Sequence, residues 1–280
     1  MTAVVTIRSL RAADITVLGG VLARAYESEQ NFELRLEAYL QMRAVATFVA
    51  DLDGKPVGMV VGNDYGPVAY VSQMAVEPAL QRRGIGTALM AGLTAWADER
   101  RFAAIELDAT PSGAPLYARF GFLKAGQTSV YHAVARGGDV RAARPYAAAD
   151  REALFAADSR GFGADRRDVL RLLIDSAHNA VVVTGPPGAV DGYAVAQPRA
   201  ELLGPVVASS AAGAARLIDA ARTYLPARHR MSVPSDNRMA RAIVAASGYR
   251  LSRSLAHMIR GTRPRAARQT LFARINLGQG

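Results

Sequence analysis

The sequence predicts a mixed α/β (α+β) fold built twice in tandem, each copy around a mixed β-sheet. Three observations predict it. Strand-like and helix-like hydrophobic periods alternate along all 280 residues. A glycine-containing loop, Gln81-Arg82-Arg83-Gly84-Ile85-Gly86, joins a strand to a helix in the first half. The order of elements after residue 144 then follows the order before residue 135, which points to an internal duplication although residue identity between the halves is slight.

In the first half, Val4–Leu10 alternates as a strand, and Ala12–Tyr26 has helical spacing at Ile15, Leu18, Val21, Leu22 and Ala25. A second short helix spans Phe32–Met42. Strands Ala46–Asp51 and Pro56–Gly62 flank Asp53-Gly54, a dipeptide that favours a tight hairpin. Val68–Val76 is the next strand, Gly86–Arg100 a helix, Ala103–Asp108 a buried strand, Gly113–Phe120 a short helix and Phe122–His132 a last strand. The glycines and charges after Val134 mark a linker at 136–143, which separates a domain at 1–135 from one at 144–280.

In the second half, Ala147–Asp158 and Asp165–Ser176 read as helices, followed by strands Ala180–Val183, Gly192–Gln197 and Leu202–Ala208. Helix Ala211–Tyr224, strand Arg230–Val233, helix Arg238–Ser247 and strand Arg250–Ile259 complete the repeat. Gln269–Ile275 adds one more strand.

Composition narrows the classes. Half the residues are apolar, and no apolar run approaches the ~20 residues that span a bilayer. The start lacks the pattern of a signal peptide, so the expectation is a cytoplasmic protein with no membrane partner. Cysteine is absent, which excludes disulfides, thiolate metal sites and a cysteine nucleophile. The net charge of +10 lies in the second half: residues 1–135 carry 12 basic and 13 acidic side chains, residues 136–280 carry 22 and 11. Only Lys55 and Lys124 are lysines, so the excess is arginine, as in GC-rich coding. No aromatic residues interleave with it in the manner of a nucleic-acid surface, and no nucleic-acid partner is expected. His178, His229 and His257 lack metal-ligand spacing, and no metal is expected.

The chemistry centres on the strand Val68–Val76 and the loop that follows. A diphosphate needs several converging backbone N–H groups, and a helix N-terminus supplies them with its positive dipole end. Glycine at 84 and 86 permits close approach and unusual φ, and Arg82 and Arg83 add charge. The Walker P-loop is excluded because no Gly-Lys-Ser/Thr follows. The dinucleotide fingerprint is excluded because Leu89 stands at its third glycine.

The pattern Gln-x-x-Gly-x-Gly at 81–86, followed by an amphipathic helix, resembles the acetyl-CoA signature of the GNAT family of N-acetyltransferases. The run Ala114-Pro115-Leu116-Tyr117-Ala118-Arg119-Phe120-Gly121-Phe122 is similar to that family's second hallmark. The resemblance covers residues 4–134 and implies transfer of an acetyl group from acetyl-CoA to a primary amine, by direct attack in a ternary complex. It further implies that the pantetheine arm lies between splayed strands 69–76 and 103–108. There it would contact backbone groups of Met74, Ala75 and Val76, with the pyrophosphate on Gln81, Arg82, Arg83, Gly84, Ile85, Gly86 and Thr87. Thr110 stands where many members place a cofactor-contacting asparagine. Tyr117 matches the tyrosine that protonates the departing thiolate, its other reading being a packing residue beside Phe120 and Phe122.

The general base is left open. Tyr70 occupies the strand position where some members place a glutamate, and no carboxylate lies between Tyr65 and Val76. Ordered water, or one of Glu29, Glu33 and Glu37, is the alternative. In the second half, Ala208-Ser209-Ser210-Ala211-Ala212-Gly213 replaces the cofactor loop, and Ala242-Ile243-Val244 stands in place of Leu-Tyr. That half therefore resembles a GNAT-like domain without its cofactor site. It would shape the acceptor pocket, mimic a dimer partner or recruit an acidic macromolecule. The acceptor is a small-molecule or peptide amine, and the chain a monomer or homodimer. A non-catalytic acyl-CoA sensor and an acyltransferase using another acyl donor are the alternative functions.

Overall fold

A computed structural model of the chain describes residues 5–134 and 137–280. Val4 of the first expected strand, Ala135 at the expected domain end and Arg136 at the start of the expected linker lie outside the described residues. The chain divides into two compact units. One holds the described residues up to Leu123 together with Ile259–Thr262, the other Lys124–Met258 and Arg263–Gly280.

The first unit opens with β1 (Val5–Arg8), a 3-10 turn at Ala12–Asp14, α1 (Ile15–Ala25) and α2 (Glu33–Gln41). Next come β2 (Val45–Leu52), β3 (Lys55–Asp64), β4 (Val68–Val76), α3 (Ile85–Glu99), β5 (Ala104–Ala109) and α4 (Ala114–Ala118). The sheet order is β1-β2-β3-β4-β5. The first four strands are antiparallel neighbours, and β5 joins β4 in parallel. The β2–β3 hairpin turns through Asp53 (φ 50°) and Gly54 (φ 81°), the paired positive φ that the Asp-Gly dipeptide accommodates.

Each face of this sheet takes a helix layer. Leu18 and Leu22 of α1 and Leu36 and Tyr39 of α2 pack with Val49, Met59, Val61 and Ala75. On the other face Trp96 of α3 covers Gly62: a β-carbon there would lie 2.6 Å from the indole. Phe48 and Phe102 close on the same indole, with ring centroids 6.1 and 4.9 Å away.

The second unit holds β6 (Leu123–Ala133) from Lys124 onward, then β7 (Arg144–Pro145), α5 (Arg151–Phe162), α6 (Arg167–Ile174), β8 (Ala180–Thr184) and β9 (Gly192–Gln197). It continues through β10 (Leu202–Ala208), α7 (Ala211–Ala221), β11 (Arg230–Pro234), α8 (Arg238–Ala246), β12 (Tyr249–Gly261) and β13 (Leu271–Ala273). Its strand order β12-β6-β11-β10-β9-β8-β7 contains the same antiparallel meander with one parallel pair, here β10–β11. Leu217 and Ile218 of α7 and Val244 of α8 build its core with Leu203, Met231, Val233 and Tyr249.

The duplication is visible in one side-chain device that sequence comparison at the level of elements did not single out. Arg8 clamps Asp14 through both guanidinium nitrogens at 2.6 and 2.9 Å, and Asp14 also accepts the Arg11 N–H. Arg144 clamps Asp150 at 2.7 and 2.8 Å, and Asp150 accepts the Ala147 N–H. Both aspartates close an Ala-Ala-Asp 3-10 turn that opens a helix. The arginine six residues before the aspartate was the available signal. This turn also explains why the first helix of the second unit begins at Arg151 rather than at Ala147.

Candidate active site

The site starts with the parting of β4 and β5. Their parallel register covers Val68↔Ala104, Ala69↔Ile105 and Tyr70↔Glu106, and β4 runs on to Val76 without a partner strand on that side among the described residues. A bulge interrupts the β3–β4 ladder between Met59↔Ala75 and Val61↔Ser72, with Gln73 in the left-handed region at φ 48°. The Glu77 N–H donates to the Val57 carbonyl of β3, so strand alternation turns the Val76 backbone away from β3, into the gap. There the Val76 carbonyl accepts from the Gln81 side-chain amide at 3.2 Å. The Met74 carbonyl accepts from the Tyr26 hydroxyl at 3.2 Å. Gln73 is buried, and its Oε1 has no hydrogen-bond partner, which leaves an acceptor at the bulge.

Beyond β4 the chain makes a 3-10 turn at Pro78–Leu80 and enters α3 through Arg82 (φ 65°) and Gly84 (φ 84°). Successive residues of alternating hand aim neighbouring N–H groups at one point. The first α-helical bond runs from the Ala88 N–H to the Gly84 carbonyl, and no side chain caps the helix. The N–H groups of Ile85, Gly86 and Thr87 therefore have no intrahelical acceptor. Arg82 and Arg83 are exposed beside this end. A β-carbon at Gly84 would meet nothing within 4 Å, so glycine serves the left-handed turn there. Gly86 also makes room within the protein. Its β-carbon would stand 3.3 Å from both Leu116 Cδ2 and Met74 Cε, so its absence lets α4 and the β4 bulge close on the head of α3.

That contact brings the two sequence hallmarks together. Tyr117 follows Leu116 on α4, is 8% exposed and meets the Phe122 ring edge-on at 6.1 Å. Burial pushes its phenol up to about 12, so it holds its proton throughout the neutral range. Thr110 is exposed, and its hydroxyl accepts the Gly113 N–H at 3.2 Å, shaping the turn into α4.

Two residues near this cleft had no role in the sequence reading. Tyr26, at the end of α1, is the donor to Met74. Asp108, on β5 just past the last paired residue, accepts a 2.7 Å hydrogen bond from the Tyr70 hydroxyl, and Tyr70 is fully buried. Glu106, two residues before Asp108, is fully buried on the same face of β5. Of the three glutamates weighed as base, Glu29 and Glu37 are exposed, and Glu33 packs its Cγ over Gly19 of α1.

The histidines have structural surroundings. His229 bridges the Pro226 carbonyl and the Tyr249 hydroxyl at 2.7 and 2.6 Å, and burial lowers its pKa. His257 accepts from Arg263 at 2.6 Å, and His178 lies exposed. Among the described residues no cluster of three or more His, Cys, Asp or Glu could hold a metal ion, and no helix is long and apolar enough to cross a membrane.

Two family profiles match the chain: "Acetyltransferase (GNAT) family" over residues 18–122 and "Acetyltransferase (GNAT) domain" over residues 154–273. The chain is 28% identical over 186 residues to YitH of Bacillus subtilis, described as an uncharacterised N-acetyltransferase. That alignment covers 62% of this chain and 63% of YitH. Among solved structures, a Pyrococcus horikoshii protein described as a candidate acetyltransferase superposes with a TM-score of 0.84 at 22% identity, covering 99% of this chain and 96% of that one. A GCN5-related N-acetyltransferase of Sphaerobacter thermophilus superposes with a TM-score of 0.64 at 15% identity, covering 99% and 98%. At these identities the structural likeness is one of fold.

Proposed function

The chain belongs to the GNAT acetyltransferases, with one such domain in each half, and on that premise we propose that its N-terminal domain transfers an acetyl group from acetyl-CoA to a primary amine. The observation that carries this reading is the unpaired edge of β4 beyond Tyr70, placed beside an uncapped, glycine-headed α3. An extended amide-bearing arm adds to such an edge as another strand does. A diphosphate suits the free N–H groups of Ile85, Gly86 and Thr87, with Arg82 and Arg83 alongside. The co-substrate would supply an acyl group on a thioester whose leaving group is a thiolate.

The chain's own groups divide the remaining work. A backbone N–H at the bulge near Met74 would polarise the thioester carbonyl, the Met74 carbonyl being held by the Tyr26 hydroxyl. Tyr117 keeps a proton to give to the leaving sulfur as the C–S bond breaks. The Asp108 carboxylate, oriented by Tyr70, attracts an ammonium and takes up the proton released as the N–C bond forms. Tyr70 stands on β4 where some members of the family place a glutamate, and in this reading it acts through Asp108.

The test is calorimetric titration of acetyl-CoA into the wild type and Gly84→Asp. The position is open, and Asp is among the few residues with a β-carbon that enter the left-handed region, so the variant confines its strain to one exposed loop residue while placing a carboxylate where phosphate would sit. Expected is binding by the wild type, at least tenfold weaker binding by the variant, and acetyl transfer by the wild type to members of a panel of peptide, amino-acid and polyamine amines. Tight binding without transfer would favour the acyl-CoA sensor. Turnover of longer acyl donors in preference would favour the other-donor reading, and no binding would remove the assignment.

A further inference from the structure

The second unit carries the same parting of a parallel strand pair, and there the gap is filled. β10 and β11 pair in parallel only at Leu202↔Arg230. Past that point β13 lies antiparallel on β10, with Val206 opposite Ala273 and Val207 opposite Leu271. On its other side the Arg274 N–H donates to the Ser232 carbonyl of β11 at 2.8 Å. The chain from Leu271 to Ile275 is thus wedged between the two strands, and none of its five residues is more than 2% exposed.

Neighbouring residues are adapted to this strand. A β-carbon at Gly204 would stand 2.1 Å from the Arg274 carbonyl oxygen, so only glycine admits the strand's passage. Asn237, the N-cap of α8, accepts the Met239 and Ala240 N–H groups through Oδ1 and donates through Nδ2 to the Gln269 and Leu271 carbonyls, at 2.6 and 3.3 Å. The helix that follows β10 is closed as well. The Ser210 hydroxyl caps α7 by accepting the Gly213 N–H at 3.1 Å, whereas α3 has no side-chain cap.

We infer that β13 is a tethered occupant of the second unit's acyl-CoA cleft: Leu271–Ala273 follows the course a pantetheine arm would follow, so the chain binds one acyl-CoA, in its first unit. The inference rests on reading the first unit's cleft as an acyl-CoA site. Its physical basis is competition between an intramolecular and a free ligand. A segment tethered to its own cleft acts at an effective concentration of the order of millimolar. Its backbone bonds are already made, and its withdrawal would expose Leu271, Phe272 and Ile275 to water.

Hydrogen exchange on the full chain tests this, with and without saturating acetyl-CoA, alongside the calorimetric stoichiometry. Expected are Leu271–Ile275 amides that exchange at least ~100-fold slower than exposed peptide, unchanged by acetyl-CoA, and one site per chain. Gly204→Ala, which sets a methyl against the Arg274 carbonyl, should speed exchange in this segment at least ~10-fold. If that variant does not fold, the wild-type measurement still decides. Exposed-like exchange in the wild type, faster exchange on adding acetyl-CoA, or two sites per chain would overturn the inference while leaving the first cleft's assignment intact. A protected strand with no acetyl-CoA binding would overturn it too, but by removing the acyl-CoA reading of both clefts and leaving β13 as packing alone.

Discussion

The Tyr70 hydroxyl and the Asp108 carboxylate meet at 2.7 Å where β4 and β5 part, on side chains 38 residues apart in sequence. One partner is fully buried and the other half-buried, so the carboxylate is held in one orientation rather than mobile as a surface carboxylate is. Asp108→Asn keeps the shape and removes the proton acceptor. Turnover of an amine acceptor should fall about 100-fold, with acetyl-CoA affinity unchanged. Tyr70→Phe should cost less, since the carboxylate remains and only its orientation loosens. Steady-state rates against pH, with calorimetry for the cofactor, check both, and an unchanged kcat in Asp108→Asn would sink the role.

Tyr117→Phe removes the phenolic proton and retains the ring packed on Phe122. The expected result is a kcat lower by about 100-fold with little change in acetyl-CoA binding. Burial raises this phenol to about 12, so in the wild type Tyr117 itself imposes no loss of rate as pH rises from 7 to 9. If Tyr117 only packs, the phenylalanine variant will turn over like the wild type.

The Arg144–Asp150 clamp predicts an acid limit to stability. Arg144, followed by burial acting in the opposite sense and the Ala147 and Gly188 N–H groups, holds the Asp150 carboxyl well below its ordinary value of 3.8. A depressed folded-state pKa means the contribution is present above the unfolded value and lost as pH falls toward the folded one. Asp150→Asn should therefore destabilise the protein by about 2–3 kcal/mol at pH 7. The difference from wild type should shrink progressively below about pH 4. Urea unfolding at pH 7 and pH 3 measures it, and an equal difference at both would contradict the linkage.

Gly62→Ala should lower the melting temperature. Its methyl would overlap the Trp96 ring, and forcing a carbon into a packed contact of this kind costs about 1–3 kcal/mol. Differential scanning calorimetry should record the loss, with a shift in Trp96 fluorescence because this is the chain's one tryptophan. Unchanged melting would mean that α3 can move away from the sheet without penalty.

Much of this was legible in the order of residues because it depends on local rules. The strand expected at Val68–Val76 matched β4 residue for residue, and the Asp-Gly pair marked a hairpin whose turn has the two positive φ angles that dipeptide supports. The head of α3 was readable from the spacing of Gly84 and Gly86, although the reason for Gly86 was not, since it concerns Leu116 thirty residues later. Misplaced boundaries had equally local causes: the Ala-Ala-Asp turn delays α1 and α5 because its aspartate is committed to an arginine six residues back.

What the sequence by itself determined was most of the elements, their order, the duplicated plan and the strand–loop–helix that opens the first cleft. These follow from hydrophobic period and backbone conformational preference, which act over a few residues. Only the tertiary structure decided which carboxylate stands at the cleft, that Tyr26 reaches the Met74 carbonyl across 48 residues, and that β13 fills the second cleft. Each of those depends on where two strands stop pairing and which side chains their register then sets face to face. No local period encodes that outcome, because it is settled when the sheet twists and the helices pack.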